Sequence, residues 1–268
     1  MEPVPPRLVA TDLDGTLIRS DGTISRRTVD ALAAVENAGA TVVLVTGRPP
    51  RWIADVAEQT GHRGIVICSN GATVYDLKDE RIIEERLIPV EVVVKVVGIL
   101  STAMPELGFA VETGHEVYRS HGYRGGWIAT RDPDTAFDEV DAVAGHEAAK
   151  LLASHPDLDA DELLAITREL VADLVEATHS NGRGLVEMGL FGVSKATTLA
   201  SFSAELGMWP NDVLAFGDMP NDLPMLAWAG TAYAMANAHP EVLAAVRRTT
   251  ASNDEDGVAI VLEQLYGV

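Results

Sequence analysis

Five short apolar runs, at residues 8–11, 42–45, 65–68, 213–216 and 232–235, constrain the fold of this chain more than any other feature. Most are rich in β-branched or large apolar residues and do not alternate with polar ones. Strands buried on both faces read this way. Helical segments separate several of them. Residues 25–38 have Ser25 as a cap, apolar positions at Val29, Leu32, Ala33 and Val35, and Gly39 as a stop. Residues 51–60 read as a second helix, ended by Gly61. Strand–helix–strand alternation predicts an α/β fold, a parallel sheet with right-handed crossovers.

From residue 87 to residue 188 the order changes to helix, strands, helix, strands. Pro89 opens an apolar helix through Leu100, and residues 109–113 and 116–119 read as a hairpin around Gly114. Residues 150–154 are a strand, and Asp159 caps a helix over 160–171. Residues 174–177 and 185–188 read as paired strands, while 122–138 is loop-like, with its glycines, prolines and charges. This predicts an α+β unit (87–188) inserted into a parallel core made of 1–86 and 189–268. After the insertion, Ser194 caps a helix over 195–206 stopped by Gly207, and a last helix covers 256–265.

The net charge of −20 repels nucleic acid phosphates and anionic membranes, so neither is an expected partner. An anionic substrate must meet a local cation, either a metal ion or a lysine. The one cysteine, Cys68, rules out an internal disulfide or a cysteine-rich zinc site. The N-terminal Met1-Glu2-Pro3-Val4-Pro5-Pro6 does not resemble a signal peptide, and no apolar stretch has the length to cross a bilayer. The expectation is a cytoplasmic protein, either a monomer or a homodimer.

Each of the early runs ends in polar residues. The first reaches Asp12 and Asp14, the second Thr46-Gly47-Arg48, the third Ser69-Asn70-Gly71, and the run at 213–216 reaches Gly217-Asp218. A parallel sheet brings these clusters to its carboxyl edge, where ligands bind. Acids, a hydroxyl, glycines and a nearby lysine suit a divalent cation and a phosphoryl group: magnesium prefers carboxylate oxygens, and glycine lets backbone N–H groups approach phosphate. Lys195 sits in the first turn of its helix, where a cation is unfavourable, which points to an anionic partner.

Four motifs stand in order across the parallel part: Asp12-Leu13-Asp14-Gly15-Thr16, Thr46-Gly47-Arg48, Lys195 within Gly192-Val193-Ser194-Lys195, and Gly217-Asp218-Met219-Pro220-Asn221-Asp222. With them the chain resembles the haloacid dehalogenase-like hydrolases, and among these the Cof-type phosphatases with a large cap between the second and third motifs. Asn70-Gly71 and Ser252-Asn253-Asp254-Glu255-Asp256-Gly257 fit the same pattern. The resemblance implies a Rossmann-like core with an inserted α+β cap, and a magnesium-dependent phosphatase of small phosphorylated metabolites such as sugar phosphates. It implies Asp12 as nucleophile and Asp14 as proton carrier. It implies Mg2+ held by Asp12, the backbone carbonyl of Asp14, and Asp218, with Asp222 in support. Lys195, the backbone of Leu13, Thr46, Gly47 and Asn221 would hold the phosphoryl group. Asp14 separates this pattern from dehalogenases, which lack that acid, and from transport ATPases, which carry threonine there.

Two alternatives remain open at this level: a phosphomutase of the same superfamily, and a non-catalytic phosphometabolite-binding protein. Residues 192–197 lack the glycine spacing of a P-loop. His115 and His146 lack a zinc-binding helical spacing, and Cys68 reads as structural. In the insertion, Arg124, Trp127, His179 and Arg183 read as surface loop residues.

Overall fold

The apolar runs become strands because both faces of each are covered. In this computed structural model, which describes residues 5–180 and 184–267 (the side chains of 126, 127 and 129 excepted), neighbouring residues of one strand feed different cores. Val9, Val42, Leu44, Val66, Leu214 and Phe216 enter one apolar cluster, whereas Leu8, Ala10, Val43, Ile67, Val213 and Ala215 enter another on the opposite side. A half-exposed strand would show alternation; a central one does not.

The core strands are β1 (Leu8–Thr11), β2 (Thr41–Val45), β3 (Ile65–Cys68), β4 (Thr73–Asp76) and β5 (Arg81–Glu85). The inserted strands are β6 (Gly108–Glu112), β7 (Val117–Ser120), β8 (Phe137–Asp138), β9 (Lys150–Ser154), β10 (Val175–Thr178) and β11 (Leu185–Leu190); β12 (Val213–Gly217) and β13 (Thr231–Ala234) return to the core. The core sheet has the order β13-β12-β1-β2-β3-β4-β5. Its first five strands are parallel, and β4 and β5 continue it antiparallel. Helices α1 (Arg26–Asn37) and α2 (Ala54–Thr60) cover one face, together with the last helix, described below.

The inserted sheet has the order β10-β11-β9-β6-β7-β8, antiparallel except for the short β7–β8 pair. Helices α3 (Val90–Ala103), α5 (Val140–Ala144) and α6 (Ala160–Val171) cover its outer face; α4 (Gly126–Arg131) lies in the segment that reads as loop from sequence. Along β6, β9 and β11, Phe109, Val111, Leu151, Ala153, Val186 and Met188 point to those helices. Period-2 geometry sends the intervening Glu112, Lys150, Leu152 and Glu187 to the other face, toward the core. The molecule is therefore a Rossmann-like α/β core with an inserted α+β cap. None of the described helices is long and apolar enough to cross a membrane.

After the cap, α7 (Lys195–Glu205), α8 (Leu223–Trp228) and α9 (Pro240–Ala245) cover the second core face, and α10 (Gly257–Tyr266) joins α1 on the first. Ser194 caps α7, its side chain accepting from the Thr197 N–H at 3.2 Å. The start of α7 packs against the turn after β3: the Thr198 hydroxyl donates to the Gly71 carbonyl at 2.8 Å. Gly71 has φ +105°, and a Cβ there would lie 2.3 Å from the Ser194 carbonyl oxygen. Replacing Gly71 with alanine should therefore push α7 off the sheet edge. We expect Gly71→Ala to lower unfolding free energy by at least about 1–3 kcal/mol in urea titration. An unchanged midpoint would show that this approach does not fix α7.

Candidate active site

The carboxyl ends of β12, β1, β2 and β3 lie side by side, so their polar termini share one edge. At the end of β1, Asp12 is 5% exposed. Lys195, 1% exposed at the start of α7, donates to Asp12 Oδ1 at 2.5 Å and to Asp222 Oδ1 at 2.7 Å. The other oxygen of Asp222 accepts the backbone N–H groups of Asp218 and Met219, both at 3.0 Å. Asp222 thus uses one oxygen to orient the lysine and the other to shape the loop that presents Asp218. Asp218 accepts from the Thr16 hydroxyl at 2.8 Å. Gly15 has φ +81°, and a Cβ on it would lie 2.3 Å from Asp218 Oδ2, so the turn after β1 needs a glycine to admit that carboxylate.

Asp12, Asp218 and Asp222 each offer an oxygen, all within 4.8 Å of one another. Three carboxylates face a single ammonium, leaving negative charge uncompensated in a buried site. Burial raises the Asp12 carboxyl well above the usual carboxylate range; Asp222 and Asp218 add to this, against the pull of Lys195. Burial and then Asp222 push Asp218 up to about 7. Burial alone would lower the Lys195 ammonium, but Asp12 and Asp222 outweigh it and the group is raised. A hard, all-oxygen donor set short of positive charge fits a divalent cation such as magnesium.

The side chain of Asp14 has a different partner, Arg48. It accepts from Arg48 in a bidentate pair, at 2.8 Å from Nε and 2.6 Å from Nη2. Arg48 is the third residue of its motif, and its place against Asp14 is visible only in three dimensions. Leu13 is fully buried in the core, so only its backbone is left to the site. Thr46 accepts from the Arg48 N–H at 3.0 Å through its hydroxyl oxygen, which leaves the hydroxyl proton to donate. The turn after β3 holds Ser69 and Asn70 at φ 49° and 55°, an uncommon left-handed pair for non-glycine residues. There Asn70 accepts from Asn221 Nδ2 at 3.0 Å and donates to Glu187 Oε2 of the cap at 2.7 Å. The late Ser252–Gly257 segment braces the turn after the aspartates: Asn253 donates to the Ile18 carbonyl at 2.9 Å, and Asp256 pairs with Arg19 at 2.6 Å.

The cap closes over this edge. Lys150 reaches across to donate to the Gly47 carbonyl at 2.8 Å, and Arg51 of the core pairs with Asp132 at 2.8 Å and Glu112 at 3.2 Å. Between cap and core lies a cavity of about 130 Å³, reached by Asp12, Asp14, Gly47 and Asn221 from below and by Glu112, Lys150 and Glu187 from above. The sequence reading did not single out these cap residues. A signal existed: each is the lone charge at an inward position of an otherwise apolar strand. His179 is a correction to the expectation of a surface loop residue. It is 1% exposed, with Nε2 2.9 Å from Asp161 Oδ1 and its ring edge-on to His239 of the core. Arg124 is exposed, whereas the Trp127 side chain and Arg183 lie outside the described residues. Cys68 is fully buried, and burial raises its thiol.

The chain is similar to known proteins along nearly its whole length. The 5-amino-6-(5-phospho-D-ribitylamino)uracil phosphatase YitU of Bacillus subtilis is 29% identical over 270 residues, covering 98% of each chain. A pyridoxal phosphate phosphatase of Escherichia coli, YbhA, is 27% identical over 268 residues, 94% of this chain and 96% of that one. A phosphoglycolate phosphatase of Natronomonas pharaonis is 30% identical over 257 residues, covering 96% of each. Among solved structures, the phosphatase BT1666 of Bacteroides thetaiotaomicron superposes with a TM-score of 0.81 at 24% identity, covering 98% of this chain and 96% of that one. The subclass IIB sugar phosphatase BT4131 superposes at 0.82 with 20% identity, covering 96% and 98%. Both share the fold. A family model for haloacid dehalogenase-like hydrolases matches residues 9–262, and the chain belongs to that family.

Proposed function

We propose that the protein is a magnesium-dependent phosphatase that hydrolyses a small phosphorylated metabolite through an aspartyl-phosphate on Asp12. The observation that carries this reading is the Lys195 ammonium held between Asp12 and Asp222 at the carboxyl edge of the sheet. A lysine so placed keeps one Asp12 oxygen fixed on a residue that lines the cavity, and supplies positive charge where a phosphoryl group enters. The small-metabolite class is supported by the closed cap and by the relatives, whose substrates are a ribitylaminouracil phosphate, pyridoxal phosphate and phosphoglycolate.

In this account an Asp12 oxygen attacks phosphorus, and the bond from phosphorus to the ester oxygen breaks. Asp14, once released from Arg48 and protonated from solvent, gives that proton to the departing oxygen. It then takes a proton from water as that water attacks phosphorus, and the Asp12 carboxylate is regenerated as inorganic phosphate forms. Thr46, the Gly47 and Leu13 backbone and Asn221 hold the phosphoryl oxygens. Asp12, Asp218 and the Asp14 carbonyl would hold magnesium, with Asp222 orienting Asp218 and Lys195. Bound there, the ion neutralises phosphoryl charge and offsets the excess of carboxylates. We assign residues 87–188 the role of a cap that excludes water and reads the leaving group.

Asp12→Asn should reduce Mg2+-dependent release of phosphate from p-nitrophenyl phosphate by more than about 10³-fold with little change in thermal midpoint; undiminished release would sink the mechanism. Lys195→Met leaves buried carboxylates facing one another. It should cost about 3–5 kcal/mol in urea unfolding as well as at least about 10²-fold in kcat, and a stable, active variant would contradict the role given to the ammonium. Chelation with EDTA should abolish turnover and added Mg2+ restore it, whereas turnover that persists through chelation would remove the metal from the account. Exchange between hexose bisphosphate isomers without net phosphate release would make the enzyme a phosphomutase instead.

A further inference from the structure

We propose that Asn70 is a positioning residue that relays the charge of Glu187, on the cap, to the Asn221 amide, and so fixes which way that amide offers its N–H groups to the phosphoryl site. This deepens the phosphatase reading and rests on it.

The relay has one direction because its first member only accepts. Glu187 is 4% exposed, and its oxygens meet Asn70 Nδ2 at 2.7 Å, Lys150 Nζ at 3.2 Å and the Ser180 hydroxyl. Burial alone would raise the Glu187 carboxyl, but Lys150, Ser180 and Asn70 outweigh it and the group is lowered. An ionised carboxylate has no proton to donate. Asn70 therefore turns Nδ2 to Glu187, which leaves Oδ1 to accept from Asn221 Nδ2 at 3.0 Å. Reversing the Asn70 amide would oppose two oxygens and forfeit a charge-assisted bond. Reversing Asn221 alone would oppose its Oδ1 to that of Asn70. The two amides are thus set together, by the cap carboxylate. Asn221 spends one N–H on Asn70, and the second hydrogen on that nitrogen has no partner among the described residues. Asn221 is 7% exposed and lines the cavity with Asp12, Asp14 and Gly47.

The backbone puts the relay across the phosphoryl-holding residues. Asn70 is left-handed, at φ 55° and ψ 28°, a conformation that asparagine adopts more readily than most residues. Its N–H donates to the Thr46 carbonyl at 3.0 Å, and the Ser69 N–H donates to the Arg48 carbonyl at 2.9 Å, so the turn is tied to the second motif. A Cβ on Gly47 would lie 3.1 Å from Asn70 Oδ1 and 3.5 Å from Glu187 Oε2. The bare glycine leaves both side chains their place. Aspartate at position 70 would suit the same backbone but could not donate to Glu187, so the position needs an amide for the relay and not only for the turn.

Calorimetric titration of the Mg2+-loaded protein with inorganic phosphate reads the grip without turnover. Asn70→Gly keeps the left-handed backbone and removes the amide. It should weaken phosphate by about tenfold, with a thermal midpoint near that of the wild type. Glu187→Leu should weaken phosphate to the same extent, and Glu187→Gln, which still offers a carbonyl oxygen, should restore most of the affinity. In an Asn221→Ala background, Asn70→Gly should cost nothing more, because the amide that it orients is gone. A tie that only held the cap shut would cost affinity with or without Asn221. Unchanged affinity in a folded Asn70→Gly, an equal loss in the Asn221→Ala background, or no binding of phosphate by the wild type overturns the relay. The Glu187 variants decide if Asn70→Gly does not fold. Release of phosphate from p-nitrophenyl phosphate is followed in parallel. Affinity that depends on Asn70 with no hydrolysis by the wild type would retain the relay and defeat the phosphatase reading; hydrolysis with affinity indifferent to Asn70→Gly would do the reverse.

Discussion

The rest of the site depends on one buried ammonium. Lys195 has almost no contact with solvent and is held by Asp12 on one strand end and Asp222 in the loop after another. Such a charge is tolerable only with partners at hydrogen-bond distance, and its partners are tolerable only with it. The constraint spreads outward. Ser194 must cap α7 for the lysine to start the helix, Gly71 must let that helix approach β3, and Asp222 must hold the Asp218 backbone with its second oxygen. The arrangement still has more carboxylates than cations, and that imbalance is what supports the proposal of a cation at the edge of the sheet.

The cap meets this edge through polar atoms. Lys150 to Gly47, Glu187 to Asn70, and Arg51 to Asp132 and Glu112 carry the join, with Trp52 of the core packed against the small apolar cluster of the cap. Polar contacts of this kind exchange for water at small net cost, unlike the apolar cores on either side. Gly47, Trp52, Glu112, Lys150 and Glu187 of this join also line the cavity, so the contacts that close the cap border the space it closes over.

Much of the core was legible in the sequence because its signals are local. The five apolar runs became strands with boundaries shifted by a residue at most, and the caps at Ser25, Asp159 and Ser194 stand where the sequence places them. The exposed strand β5, Arg-Ile-Ile-Glu-Glu, was not legible: an edge strand carrying charges has the composition of a loop. Helix α4 was hidden by the glycines around it. Asp12, Thr46, Asp218 and Lys195 were readable because each ends or begins an element. Glu112, Lys150 and Glu187 were not, since three separate strands bring them together; only pairing register sets Glu112 opposite Lys150. The pairing of Asp14 with Arg48 likewise depends on contact between separate loops.

The central claim is that Asp12 becomes covalently phosphorylated. An acyl phosphate is reduced by borohydride, whereas a free carboxylate is not. Quenching the Mg2+-loaded protein with borohydride during turnover of p-nitrophenyl phosphate, followed by peptide mass spectrometry, reads the position directly. The account predicts substrate-dependent reduction at Asp12, absent without substrate. Reduction at another acid, or none at any residue while phosphate is being released, would contradict it.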